Sequence, residues 1–323
     1  MAIRWGIIGC GDVAKKRVAR AIQNEANSEL SAVCRRDETK LQSFAEEFGV
    51  SVATTSADEV INSPEIDAVY IATPVNLHRP QTVAAAAAGK HVLVEKPMAM
   101  STAECNEMIA ACDTADVRLG VAYYRPFYPV VHRMQELVQS GEIGKVLSVS
   151  ATTCTPFAID TDEDGYWRVL PEAGGGGALM DFGSHRLDLF LRMFGSVADV
   201  KAQCSTVAAI YQADDVSTLA LRFESGIHGL LHCCFGSSTD PDEFAILGTN
   251  GRLVSRPLNG GELIIEHGRE QIIEQHPPAS NFNSPLIADF SAAILESRAP
   301  LITGKSGRDV NLVMEQAYAG SRQ

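Results

Sequence analysis

Ile3-Arg4-Trp5-Gly6-Ile7-Ile8-Gly9-Cys10-Gly11-Asp12-Val13-Ala14 opens the chain with an apolar run that breaks into G-x-G-x-x-A and then turns amphipathic. A run that is apolar throughout, rather than alternating, suits a strand covered on both faces. The first two glycines permit a tight turn and close approach of the backbone. The helix that follows offers unpaired N–H groups and a partial positive charge to a pyrophosphate, so Gly9, Cys10, Gly11, Asp12 and Val13 are candidate dinucleotide contacts. Alone the pattern is weak, but at the head of a βαβ unit it has the context it needs. A glycine turn that binds no nucleotide is the competing account.

Working outward, further apolar runs fall at Leu30–Cys34, Val50–Ala53, Ala68–Ala72, Val92–Val94 and Val117–Ala122. Amphipathic segments lie between them, with start signals at Ser56/Glu59 and Ser101/Glu104 and a stop signal at Gly89. Six strands with helical crossovers predict a doubly wound parallel sheet, a Rossmann-type domain over residues 1–123. From Tyr124 the texture changes. A helix over Tyr128–Gln139, a strand over Val146–Thr152, a polar acidic loop, the glycine tract Gly174–Gly177 and a helix over Ala178–Phe194 come first. Strands joined at Ser225-Gly226, Asn250-Gly251 and His267-Gly268 then predict an antiparallel meander, and helices over Leu286–Glu296 and Gly307–Ala319 follow. Residues 124–323 are therefore expected to form one α+β domain with a large, mostly antiparallel open sheet.

Composition narrows the function. Of 323 residues, 46% are hydrophobic and 21% charged, an ordinary soluble globular balance. Forty acidic against 27 basic side chains leave a net charge of −13, which disfavours nucleic acid and anionic membranes as partners. The eight cysteines include no C-x-x-C pair and read as buried thiols of a reducing compartment. Met1–Cys10 carries no basic n-region, and the alanine-rich stretch Val83–Ala88 is too short to span a bilayer, so a cytoplasmic setting is expected.

An NAD-preferring site places Asp or Glu at the end of the second strand, where this chain has Cys34-Arg35-Arg36 with Lys40 one turn further. Guanidinium forks match the oxygens of a 2′-phosphate, so NADP is expected over NAD. Thr73-Pro74-Val75-Asn76-Leu77-His78 ends the fourth strand, on the rim where ligands sit in such sheets. There Thr73 and Asn76 can reach ribose or phosphate, although a turn that merely starts the next helix explains the same residues. Glu95-Lys96-Pro97 ends the fifth strand on the same rim. A desolvated lysine there can work near neutral pH, while a surface lysine paired with Glu95 is an equal account.

Asp181-Phe182-Gly183-Ser184-His185 and Asp188 follow the glycine tract, and helical spacing puts 181, 185 and 188 on one face. Gly183 inside a helix costs up to about 1 kcal/mol relative to Ala, which fits a backbone that must lie close to a ligand. An Asp four residues before a His can orient an imidazole for proton transfer; a solvated polar face is the alternative. His228 and His232 would be about 13 Å apart along a strand, too far for one ion, and no metal site is expected. No Tyr precedes a Lys by four residues and no G-x-S-x-G elbow occurs, which disfavours short-chain dehydrogenase and α/β-hydrolase chemistry.

The four motifs in this order (G-x-G-x-x-A, Ala72-Thr73-Pro74 with His78, Glu95-Lys96-Pro97, and the glycine tract into D-x-G-x-H) resemble the glucose–fructose oxidoreductase / inositol dehydrogenase / rhizopine-catabolism (Gfo/Idh/MocA) family over nearly the whole chain. The resemblance implies reversible hydride transfer between a nicotinamide cofactor and a sugar, cyclitol or related polyol. It implies His185 as proton acceptor, Lys96 as the group holding the reacting oxygen and the nicotinamide ribose, and Asp181 as the positioner of both. It also implies a Lys96–Pro97 cis peptide and a homodimer or homotetramer formed through the C-terminal sheet. Glu95, Pro74 and His78 would line the cofactor. Trp167-Arg168 resembles a segment that reaches the cofactor in bacterial anhydrofructose reductases of this family, an NADP-dependent subgroup. Two features depart from that subgroup: Gly11 is kept, and the loop Phe157–Gly165 is unusually acidic. That loop is expected to be solvated, a lid being the alternative. Tyr124, Arg125, Phe157, Tyr166, Trp167, Arg186 and Asn283 are candidate substrate-wall residues. A glycoside hydrolase that oxidises its substrate transiently with bound NAD, and a cofactor-sensing regulator without turnover, are the competing functions.

Overall fold

The computed structural model describes residues 2–321, which fall into two compact units. Residues up to Tyr124 join Asn281–Asn311 in the first unit, and Arg125–Ser280 join the residues from Leu312 onward in the second.

In the first unit, β1 (Ile3–Ile8), β2 (Ser28–Cys34), β3 (Val52–Thr54), β4 (Ala68–Ile71), β5 (His91–Val94) and β6 (Leu119–Val121) pair in parallel, in the order β3-β2-β1-β4-β5-β6. Helices α1 (Ala19–Asn24), α2 (Glu38–Phe48), α3 (Ala57–Ile61), α4 (His78–Ala87) and α5 (Thr102–Thr114) form the connections. Trp5, Ile7, Val69, Tyr70, Ile71 and Val92 are fully buried, as strands sheathed on both faces must be. The strand order reverses between β1 and β4, so their carboxyl ends flank a crevice of the kind that holds ligands in open α/β sheets.

The start and stop signals divide. Ser101 caps α5 by accepting from the Glu104 N–H at 3.2 Å, and Glu104 reaches back to the Met100 N–H at 3.0 Å. Gly89 takes a left-handed φ of 73° after α4. The Ser56/Glu59 box does not form: the Thr54 hydroxyl takes its place, donating to Glu59 at 2.7 Å and accepting from the Ser56 N–H at 3.0 Å.

The second unit contains α6 (Pro129–Gln139), β7 (Val146–Cys154), α7 (Pro171–Gly174), α8 (Ser184–Phe194), β8 (Val197–Ser205), β9 (Val216–Phe223), β10 (His228–Cys234), β11 (Asp242–Gly248), β12 (Arg252–Ser255), β13 (Glu262–His267) and β14 (Glu270–Gln275). The eight strands form one sheet ordered β14-β13-β12-β11-β7-β10-β9-β8. It is not a pure meander. β7 lies between β11 and β10 and runs parallel to β10, because the intervening chain, α8 included, is long enough for the crossover that parallel neighbours require. Along β9 buried and exposed residues alternate, and Phe223 meets Phe190 and Phe194 of α8 at ring distances of 6.4 and 5.8 Å. One face of the sheet therefore packs under α8.

Residues 281–311 depart from the expected boundary. The chain continues as α9 (Ser284–Leu295) and α10 (Gly304–Ser321), and the first of these belongs with the parallel sheet. Phe290 packs on Trp5 with ring centroids 5.6 Å apart, Ser291 shares a hydrogen bond of 2.8 Å with Ser28, and a Cβ on Gly120 would stand 2.8 Å from the Phe290 ring. The helical period shows that α9 has an apolar face but not which sheet will cover it. No helix among the described residues is long and apolar enough to cross a membrane.

Candidate active site

On the first unit's rim, Gly9 has φ +100°, and a Cβ there would lie 2.5 Å from the Ala72 carbonyl oxygen. Only glycine serves at that point. Gly11 faces open space, with nothing within 4 Å of an added Cβ, while Ala14 is fully buried. The backbone is thus accessible at the helix entrance and packed one turn in, the arrangement a pyrophosphate needs. The helix itself departs from expectation, beginning with a π turn at Ala14–Val18 before α1.

The three cations expected at a 2′-phosphate are differently disposed. Arg36 is exposed, Arg35 donates to the Cys10 carbonyl of the glycine loop, and Lys40 has its ammonium 3.9 Å from Asp37. Asn76 is exposed and Pro74 half-buried, whereas the Thr73 hydroxyl is taken up by Gln81 at 2.7 Å.

His78 does not line the rim. Its ring is fully buried, with Nε2 at 2.9 Å from the Thr73 carbonyl and Nδ1 at 3.1 Å from that of Pro97. Burial pushes its pKa down to about 4, so the neutral ring donates to the carbonyl of one rim loop and packs against that of the other. The second of these loops carries Lys96, half-buried and followed by a cis bond to Pro97. The Glu95 carboxylate accepts from the Tyr70 hydroxyl at 2.6 Å and from the Lys96 N–H at 3.1 Å. Beyond Pro97, Ala99 is held by the Asn311 amide at 2.6 Å, and Met98 packs against Gly307. The lysine therefore leaves a backbone fixed on both sides.

Two expected substrate-wall residues belong to this unit's interior. Tyr124 stacks on Phe282 at 5.8 Å, with the Arg17 guanidinium over both rings and donating to the Tyr124 hydroxyl at 3.1 Å. Asn283 is 1% exposed, beside the Tyr70 phenol.

In the second unit, Asp181 lies in a π turn, Leu179–Gly183, that leads into α8, and His185 sits in the first turn of α8. His185 is 4% exposed and the Asp181 side chain 18%. Arg168, which also stacks on Trp167 at 5.0 Å, brings its guanidinium to 3.8 Å from Asp181. Trp167 and Arg168 thus share a turn with Tyr166, and Arg168 approaches the candidate catalytic carboxylate. Asp188 is 2% exposed; burial pushes its pKa up to about 7 against the opposing fields of Arg192, 3.8 Å away, and Arg125.

Two expectations need correction here, those for Arg186 and Gly183. Arg186 is 1% exposed and ion-paired with Asp242, so it braces the fold rather than walling a substrate. Arg125 is likewise buried, in the field of Asp188. Gly183 makes room for packing, not for a ligand: an added Cβ would stand 2.8 Å from Leu179 and 3.2 Å from the Cys233 thiol. Phe157 and Tyr166 do line an open groove of about 490 Å³, with Tyr211 and Phe235. These last two were missed because their relation to Phe157 is purely tertiary. Also missed were Asp214 and Tyr318, which grip the glycine tract. Their only local signal is a pair of adjacent aspartates ahead of a strand. No group of three or more metal-ligating side chains occurs among the described residues, and His232 bonds Thr218 at 3.0 Å across the sheet.

Comparison with known proteins agrees with the two-unit fold. Residues 3–123 match the oxidoreductase family with an NAD-binding Rossmann fold, and residues 131–254 match the C-terminal domain of the same family. Oxidoreductase P35 of Formosa agariphila is 37% identical over 78% of each chain. The 1,5-anhydro-D-fructose reductase of Ensifer adhaerens is 30% identical over 94% of this chain and 92% of its own. Among solved structures, an aldose-aldose oxidoreductase from Caulobacter crescentus complexed with glycerol superposes with a TM-score of 0.91 at 28% identity, covering 100% of this chain and 98% of the other. With its parallel nucleotide-binding sheet, its mostly antiparallel second sheet and both family segments in order, the chain belongs to the Gfo/Idh/MocA family of oxidoreductases.

Proposed function

We propose that the chain is an NADP-dependent dehydrogenase or reductase acting on a hydroxyl-bearing carbon, or the matching carbonyl, of a sugar, cyclitol or related polyol. The observation that carries this reading is the fixed placement of Lys96 at the carboxyl end of β5 together with Asp181 and His185 at the head of α8, in a chain 30% identical to a 1,5-anhydro-D-fructose reductase. The open backbone at Gly11 and the helix behind it would hold the pyrophosphate, and the bound nicotinamide supplies or accepts the hydride. Lys96 holds the reacting oxygen and the cofactor ribose. His185 takes the hydroxyl proton during oxidation and returns it during reduction. Asp181, on the same helical segment, positions the His185 imidazole. Glu95 accepts from the lysine's own N–H and so steadies its backbone.

NADP is favoured because the end of β2 carries Arg35 and Arg36 and no acidic residue. Arg36 is the more available of the two, since Arg35 already donates to Cys10. A homodimer or homotetramer through the sheet face opposite α8 is supported by the exposed Leu230 and Leu247 on that face. The cysteines are all free thiols, which suits a reducing cytoplasm.

A panel of aldoses, cyclitols and keto-sugars assayed with NADP and NAD tests this reading. Turnover of at least one of them with stoichiometric change in NADPH, and with higher kcat/KM for NADP than for NAD, is expected. Glycoside cleavage without net change in cofactor would point to the transient-oxidation hydrolase instead.

A further inference from the structure

The glycine tract before α8 is shaped by one buried carboxylate. Asp214, 7% exposed, stands at the entrance to β9. Its Oδ1 accepts from the Gly177 N–H at 2.8 Å and from the Tyr318 hydroxyl at 2.7 Å. Its Oδ2 accepts from the Leu179 N–H at 3.0 Å and from the Ser217 hydroxyl at 2.7 Å. Its own carbonyl accepts from the Ala178 N–H at 2.9 Å. Three successive N–H groups at the head of the Asp181–His185 helix are thereby fixed by one residue. A carboxylate there also suits the positive end of the helix.

The same contacts explain the glycines. A Cβ on Gly177 would overlap the Asp214 carbonyl oxygen, and one on Gly176 would overlap the Tyr318 hydroxyl. A Cβ on Gly174 would stand 2.9 Å from the Trp167 and Arg168 carbonyls. The tract is glycine so that the clamp can close on it.

We infer that Asp214, with Tyr318 behind it, is a positioning residue for the proposed hydride-transfer chemistry: it sets the axial place of the helix that presents Asp181 and His185. This inference rests on the catalytic reading of His185 given above. Displacements of about 1 Å at a reacting group can cost about 100-fold in rate, and among the described residues no other bonds as many N–H groups at this helix entrance.

The test compares Asp214→Asn and Tyr318→Phe with wild type and with His185→Ala, all as the full chain. Asp214→Asn keeps the side chain's size but removes its charge and part of its accepting capacity. Its kcat should fall about 100-fold with KM and cofactor Kd within about twofold. Tyr318→Phe removes one of the four side-chain bonds and should cost about 2- to 10-fold in kcat. It also settles the matter if Asp214→Asn does not fold. The NMR titration of the His185 imidazole, read without substrate, should shift in both variants. Folded variants with wild-type kcat and an unmoved His185 titration would overturn the inference. If His185→Ala is inactive while both clamp variants turn over normally, only the positioning role falls. If His185→Ala itself keeps wild-type kcat, the catalytic reading falls, and the NMR titration still decides whether Asp214 sets the imidazole's surroundings.

Discussion

Each unit presents its candidate catalytic side chain from a segment tied down by one buried ionisable residue, and the two ties are chemical opposites. In the first unit the neutral imidazole of His78 lies between the carbonyls of Thr73 and Pro97, next to Lys96. In the second, the Asp214 carboxylate gathers N–H and hydroxyl donors ahead of Asp181 and His185. Their glycines differ in the same way. Gly11 leaves backbone open to a crevice where a cofactor can approach and Gly9 lets it turn against the Ala72 carbonyl, whereas Gly176 and Gly177 make room for the Tyr318 hydroxyl and the Asp214 carbonyl. Glycine in a ligand-binding fold is thus not by itself a mark of ligand contact.

The largest effect separating the two regions is expected from Gly177→Ala. The added methyl overlaps the Asp214 carbonyl, and overpacking against backbone belongs at the upper end of about 1–3 kcal/mol. Denaturant unfolding should show that loss, while cofactor affinity, a property of the other unit, should stay near wild type. A stable Gly177→Ala protein with weakened cofactor binding would reverse the assignment of the two glycine segments.

Next comes pH. His78 has a folded pKa of about 4 against an ordinary value of 6.5, so the unfolded chain takes up its proton first as pH falls. The stabilisation is present above pH 6.5 and is lost as pH falls toward 4, on the order of 3 kcal/mol in all. His78→Gln should flatten that part of the stability profile. Identical profiles for the two proteins would show that the ring is not the acid-sensitive tie. Asp188 should act with opposite sign: its raised pKa of about 7 favours the folded state at low pH, an advantage lost as pH rises from 3.8 to about 7.

The smallest structural effect is expected at Gly11→Ala. The methyl enters open space, so stability should change by less than about 0.5 kcal/mol. On the proposed cofactor reading it would occupy the path of a pyrophosphate, and NADP affinity should fall about tenfold by titration calorimetry. Unaltered affinity would remove Gly11 from the cofactor site.

Much of the first unit was legible in the sequence because its strands are short, fully apolar and separated by local signals. The spacing of Gly9, Thr73 and Lys96 could be read for the same reason. What stayed hidden depends on contacts between distant segments. Phe290 returns to Trp5 from the far end of the chain, and β7 inserts beside β10. Tyr318 reaches Asp214 across 104 positions. Arg186 looked like an available cation until Asp242 supplied its partner. Side-chain type and local period say what a residue can do; whether it faces a ligand or its own core is decided by which element arrives to cover it.

The central claim is that Lys96 and His185 carry the proton and oxygen chemistry of hydride transfer. Its most direct test is kcat for Lys96→Ala and His185→Ala with NADP and the best substrate of the panel, cofactor binding being checked separately. Losses of about 10²- to 10⁴-fold in kcat with cofactor Kd nearly unchanged are expected for His185→Ala, and a comparable loss in kcat for Lys96→Ala. Wild-type kcat in both variants would contradict it.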